Sequence, residues 1–190
     1  PPITALQPQA PPRLKPAEAE PVLDDLMARH GRLWVLPAAV DDVDPGHFIS
    51  GWLDEHAHAV WRTADFRLYL PSLPSDAPSQ PVEVTFGDEL LLRSVAWAPE
   101  AVPAGEPLRL ALRWSHLRCR EHDLRLALKL VDASGHGWAS VASVVGGCRP
   151  GEERIKYEGL LIPQGAPPGE YTLRLMATDV EGPVNMGNPV

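Results

Sequence analysis

The densest run of side chains able to do chemistry is Asp54-Glu55-His56-Ala57-His58, two carboxylates and two imidazoles within one short stretch. Such a set could ligate a metal ion or pair an acid with a base. Its spacing speaks for another use. The run continues a helical pattern, and residues two apart on a helix point about 200° apart. His56 and His58 therefore cannot share a metal as residues four apart can, and the expectation is a helix surface. Ser50-Gly51-Trp52 and Ser134-Gly135-His136 set serine beside glycine, yet neither is the Gly-x-Ser-x-Gly elbow that raises a nucleophile between strand and helix. Gly146-Gly147 precedes Cys148 with no helix behind it, so no phosphate-cradling loop is expected. Cys119 and Cys148 are too few for a zinc site without nearby histidines. They form a disulfide or stand as two separate thiols, and an extracytoplasmic setting would favour the bond.

Six tryptophans are the remaining signal. Trp34, Trp52 and Trp114 lie in apolar patterns and read as core. Trp61, Trp97 and Trp138 lie near element ends or among polar neighbours, where an exposed ring could stack on a sugar face. Packing is the competing reading for each of the three.

The elements that must position these groups fall into two styles. Three clusters in the second half, Ala104-Gly105-Glu106, Pro150-Gly151-Glu152 and Pro168-Gly169-Glu170, each precede a strand-like run. Proline presets φ and glycine supplies the positive φ that tight turns need. After the first, Leu108, Leu110, Leu112 and Trp114 alternate with Arg109, Ala111 and Arg113. After the third, Tyr171, Leu173, Leu175 and Ala177 alternate with Thr172 and Arg174. A period of two marks strands with one buried and one wet face. Leu124, Leu126, Leu128 and Leu130 repeat it, with Ser134-Gly135 as the hairpin tip behind them. The second half is expected to be an antiparallel β-sandwich, immunoglobulin-like or jelly-roll-like.

Residues 22–71 read as α/β. Val22, Leu23, Leu26 and Met27 recur at helical spacing, with Gly31 as the stop. Leu33-Trp34-Val35-Leu36 is apolar on both sides, as in a strand covered on both faces. Asp44-Pro45 suits a cap and a first helical residue. Phe48, Ile49, Trp52, Leu53, His56 and Val60 then make one apolar helical stripe, and 66–70 closes a βαβ unit as its second strand. Such a unit is too small to stand alone. Prolines, at roughly twice the usual share, crowd residues 1–21, a lead-in, and 72–81, a linker to the sandwich at 82–190. The fold class is thus α+β.

A net charge of −8 and the lack of any basic block argue against a polyanion as the main partner, because nucleic-acid and anionic-lipid binding draw on lysine and arginine patches. No apolar run is long enough to span a bilayer, and no signal peptide is apparent. The chain opens at Pro1 rather than methionine, which suggests a segment of a longer polypeptide.

Phe86-Gly87-Asp88-Glu89-Leu90, Val102-Pro103-Ala104-Gly105-Glu106-Pro107-Leu108, Leu112-Arg113-Trp114, Leu130-Val131-Asp132-Ala133-Ser134-Gly135, Pro150-Gly151-Glu152 and Pro167-Pro168-Gly169-Glu170-Tyr171 together resemble a β-sandwich at the C-terminus of many bacterial membrane glycosyltransferases. The type is that of the protein-mannosyltransferases and lipid-A-sugar transferases. Gly31-Arg32-Leu33-Trp34-Val35-Leu36, Asp44-Pro45 and Trp52-Leu53 look like the extracytoplasmic segment that follows the last membrane helix in those proteins. The resemblance implies a polyprenyl-phosphate sugar donor and a catalytic aspartate between early membrane helices, outside this sequence, so no catalytic residue carries over. It implies a non-catalytic portion on the extracytoplasmic face, without cofactor or metal. Its partners would be the membrane-embedded part of the same polypeptide and a glycan or acceptor. A free-standing carbohydrate-binding or adhesion module is the alternative. A self-contained hydrolase ranks last, for want of a nucleophile, base or metal set.

Overall fold

The computed structural model describes residues 15–36, 44, 46–63, 66–74, 77–98, 101–119, 124–145 and 149–179. The chain divides into two units, Pro1–Ser72 and Leu73–Val190. Helices and strands in the first and two facing sheets in the second make an α+β fold with a β-sandwich-like arrangement.

In the first unit, helix α1 spans Pro16–Arg29. It begins inside the stretch expected as an extended lead-in, because a proline in the first turn gives up an N–H that has no helical partner anyway. Ala19, Leu23, Leu26 and Met27 form its buried stripe. Strand β1 is Leu33–Val35, helix α2 is Phe48–His56, strand β2 is Ala57–Arg62 and strand β3 is Arg67–Pro71. The buried Asp44 sets the start of α2. Its carboxylate accepts the backbone N–H of Phe48 at 2.9 Å and of Ile49 at 2.7 Å, two of the donors a helix leaves orphaned at its N-terminus. The capping aspartate was legible, but the helix starts at Phe48 rather than at Pro45, which lies outside the described residues.

Two expectations need correction here. Helix α2 ends at His56, and the residues after it, through the expected stripe position Val60, form β2. The expected βαβ unit is also a split one. Strand β3 lies between β1 and β2 and runs antiparallel to both, with Trp34 and Trp61 each opposite Leu68. The helix therefore connects two strands that a third separates. Leu23, Met27, Val35, Ile49, Trp52, Leu53, Ala57, Ala59 and Tyr69 form the core of this unit.

The second unit contains β4 (Ser79–Phe86), β5 (Leu90–Ala98), β6 (Pro107–His116), β7 (Leu124–Val131), β8 (Gly137–Val145), β9 (Glu153–Leu161) and β10 (Thr172–Asp179). Strand β4 begins within the stretch expected as a linker. One sheet carries the order β9-β6-β5-β4 and the other β10-β7-β8, and all the pairings within them are antiparallel. Leu110, Leu112 and Trp114 from the first sheet meet Leu124, Leu126, Leu128 and Val145 from the second, and Leu173, Leu175 and Ala177 pack against them. The alternation read from the sequence is the alternation that buries these side chains. Gly105 (φ 90°) and Gly151 (φ 78°) take the left-handed backbone at their turns. The Gly105 N–H bonds the Ile162 carbonyl at 2.8 Å, tying that turn to the end of β9.

The inner row of β9 is chemically different. Lys156 and Glu158 stand opposite Leu112 and Leu110 in register. Lys156 Nζ lies 3.9 Å from Glu158 Oε1, and Glu158 is only 1% exposed. The carboxylate of this ion pair is held among leucines, out of water, while Lys156 stays partly exposed.

Candidate aromatic surface

Trp97 is on β5, opposite Leu110, and packs against the sandwich core. Its apolar area is occupied by the protein itself. Trp138 is on β8 behind the hairpin tip, where its ring N–H donates to Asp132 Oδ2 at 2.8 Å and its ring makes a T-shaped contact with His136 at a centroid distance of 4.9 Å.

Asp132 organises that whole tip. Its Oδ1 accepts the Ser134 hydroxyl at 2.6 Å and the backbone N–H groups of Ser134 (2.9 Å) and His136 (3.0 Å). These donors, the Ser134 hydroxyl foremost and the Trp138 ring next, lower the Asp132 carboxyl to about 2. Aspartate, serine and histidine share one short loop, but the serine donates to the carboxylate rather than to an imidazole. The constellation is a side-chain-closed turn and has no activated nucleophile.

Trp61 has a different environment. It is 54% exposed on β2, and Trp34, expected in the core, is 53% exposed on β1. The two rings lie 6.4 Å apart, tilted by 56°, within the range of favourable aromatic pairing. Leu68 of β3 stands between them in register. On the opposite face of the same strands, Val35, Tyr69 and Ala59 are buried against the helices. Extending the β1–β3 register by one residue sets Leu36 opposite Phe66, on the tryptophan side by alternation. Leu36 is 50% and Phe66 47% exposed. At one end, the outer face of this small sheet is thus an apolar surface of Trp34, Leu36, Trp61, Phe66 and Leu68, while at the other His58 and Leu70 of the same face are buried. Sequence reading found only Trp61 of the five.

On the helix side lies a polar cluster. Asp54 Oδ1 accepts the Tyr69 hydroxyl at 3.1 Å and Arg62 Nη2 at 3.0 Å, and Arg67 Nη1 donates to Ser50 Oγ at 3.3 Å. Burial, aided by the Asp54 charge, raises the Tyr69 phenol above its usual value. These bonds anchor α2 to β2 and β3.

The Asp54–His58 run is divided by the end of α2. His56 stacks on Trp52 at 4.4 Å and its Nδ1 lies 2.8 Å from the Trp52 carbonyl. His58, expected on a helix surface, is instead wholly buried in β2, with Nδ1 3.0 Å from the Pro71 carbonyl. Among the described residues, no group of three or more His, Cys, Asp or Glu is placed to hold a metal ion. Nor is any helix among them long and apolar enough to cross a membrane. Cys119 is disulfide-bonded. Cys148, the other cysteine of the chain, lies outside the described residues.

Set against protein-family models, curated proteins and solved structures, the chain matches none.

Proposed function

We propose that this chain is the non-catalytic, extracytoplasmic portion of a membrane glycosyltransferase that uses a polyprenyl-phosphate sugar donor. In this reading it positions the acceptor or glycan, or caps the membrane-embedded part of the same polypeptide. The observation that carries the reading is an order along the chain. An α/β unit with an open apolar sheet face precedes a two-sheet unit whose turns fall at Ala104-Gly105-Glu106 and Pro150-Gly151-Glu152, the positions on which the resemblance rests. The sandwich is, in the same proposal, immunoglobulin-like rather than a jelly roll. Strand β9 returns to β6 after the β7–β8 hairpin in the other sheet, and β10 then returns to β7, a crossing pattern in keeping with immunoglobulin-like domains. A Cys119–Cys148 bond would suit the oxidising side of the membrane, and a mass increase of two hydrogen atoms on reduction of the intact chain tests it.

The test of the leading reading is an immunoblot of fractionated native cells with an antibody against this chain. A membrane band far heavier than 20.7 kDa is expected. A band near that mass in the soluble or secreted fraction would sink the reading.

The exposed Trp34–Trp61 pair supports a second reading, a free-standing carbohydrate-binding module. Glycan-array binding that disappears in Trp34→Ala or Trp61→Ala would establish it, and silence across a broad array would count against it. Trp97 and Trp138 drop out of this proposal, one partly buried against the core and the other bonded to Asp132.

A further inference from the structure

We propose that Arg67, with Arg62 and Ser50 beside it on the helix side of the small sheet, forms a binding site for a phosphate group. The site stands whether or not the chain belongs to a membrane enzyme.

Register brings two cations together. Arg62 of β2 and Arg67 of β3 are directly opposite each other, and Arg67 is also opposite Val35, which is buried on the helix side. Like charges placed opposite across a strand pair destabilise it. One carboxylate offsets them in part. Asp54 Oδ1 lies 3.0 Å from Arg62 Nη2 and also accepts the Tyr69 hydroxyl. Arg67 bonds instead to a neutral oxygen, Ser50 Oγ at 3.3 Å, and among the described residues no ion pair joins it to a carboxylate. A half-buried guanidinium without a counter-charge is costly. An anion from outside the chain would complete the cluster.

The two guanidinium groups converge on one place. Burial, and then the Asp54 charge, raises the Tyr69 phenol, while the charges of Arg62 and Arg67 both oppose the rise. Both cations therefore act on the same hydroxyl. Their partners Asp54 and Ser50 lie one turn apart on α2, about 6 Å along its axis. A phosphate can reach between cations so spaced and accept forked N–H pairs from them. Ser50 adds a third donor, because its oxygen accepts from Arg67 while its own hydrogen remains to donate. Donors from several directions suit a tetrahedral anion, whereas a planar carboxylate is satisfied by one guanidinium fork. The place is open to solvent, since the side chains of Arg62 and Asp54 are 37% and 29% exposed. On a chain of net charge −8, so local an excess of positive charge fits one small anion rather than a polyanion.

The test is calorimetric titration of the full chain with inorganic phosphate, with sodium chloride holding the ionic strength constant. Saturable binding is expected. Arg67→Met should weaken it at least about tenfold and Ser50→Ala about threefold, while Arg125→Gln on β7 of the other unit should bind as the parent chain does. Phosphate should also raise the Tm of the parent chain and leave that of Arg67→Met unchanged. Should Arg67→Met fail to fold, Arg67→Lys keeps the charge without the fork and should still bind several-fold more weakly. Competition identifies the source of the group. Displacement by a soluble sugar phosphate would point to a free phosphorylated ligand, and displacement by vesicles of an anionic phospholipid alone to a headgroup. Four outcomes would overturn the proposal. They are no phosphate binding, binding indifferent to the Arg67 variants, a Tm rise that chloride reproduces at equal ionic strength, and acetate binding more tightly than phosphate.

Discussion

The two units treat their apolar sheet faces in opposite ways. In the sandwich, each inner face meets another, and Leu110, Leu112, Leu126 and Leu128 are nearly inaccessible. In the α/β unit, one face of the sheet is covered by helices and the other shows two tryptophans to solvent. Apolar composition alone cannot separate the cases. A buried leucine row is explained by the stability it adds, whereas an exposed aromatic row adds little stability.

The contrast can be broken most directly by truncation on each side of it. Leu112→Ala in the sandwich should destabilise the chain by about 2–5 kcal/mol, through lost burial and the cavity left behind. Trp34→Ala, a larger truncation at an exposed site, should cost under about 1.5 kcal/mol, most of it from the pairing with Trp61. Urea unfolding of both variants decides the matter, and equal losses would mean that the tryptophan face is structural. The ion pair on β9 sharpens the sandwich side. Lys156→Met should cost about 3 kcal/mol by removing the cation beside a buried carboxylate, and Lys156→Met/Glu158→Leu should recover most of that. A double variant no more stable than the single one would show that Glu158 is held mainly by other groups.

On the α/β side, Asp44→Ala should cost about 1 kcal/mol by uncapping α2. The accompanying loss of helical signal should leave the sandwich transition unchanged. The smallest effect belongs to the Asp132 hairpin. Its carboxyl is held below the ordinary 3.8, at about 2, so the ionised form contributes stability at every pH above 3.8. That contribution is lost as pH falls through about 2. Acid unfolding followed from pH 5 to pH 1.5 should show Asp132→Asn converging with the parent chain at the low end, and parallel curves would remove the carboxylate from the account.

Much of the sandwich could be read from its sequence, because period two leaves arginines on one side of Leu108–Trp114 and glycine marks two of the turns with φ above zero. The third, at Gly169, does not use that conformation, so the motif alone overstates its geometry. The α/β unit was harder for physical reasons. Phe48 to Val60 satisfies a helical stripe even though the chain turns extended at Ala57, and nothing local opposes either choice. His58 looked like a surface group because imidazoles are usually wet, but the Pro71 carbonyl meets its ring nitrogen inside the protein. Strand β1 is too short for its periodicity to say which face is covered. Pattern alone therefore points Trp34 to the core and hides the aromatic face. Of the three tryptophans expected to meet sugar, Trp97 and Trp138 are engaged within the sandwich unit, which pattern cannot reveal because their partners, Leu110 and Asp132, are fixed by register and turn chemistry.

The return of β9 to β6 has a kinetic side. These two strands are far apart in the chain, and their pairing must wait until the intervening segment folds back. The β7–β8 hairpin performs that folding locally, and its Asp132-centred tip can close within microseconds. A tip that forms early shortens the span over which β6 must find β9. Weakening it with Asp132→Ala should therefore slow refolding in stopped-flow fluorescence more than it speeds unfolding, making this small turn the pacemaker for closing a sheet to which it does not belong.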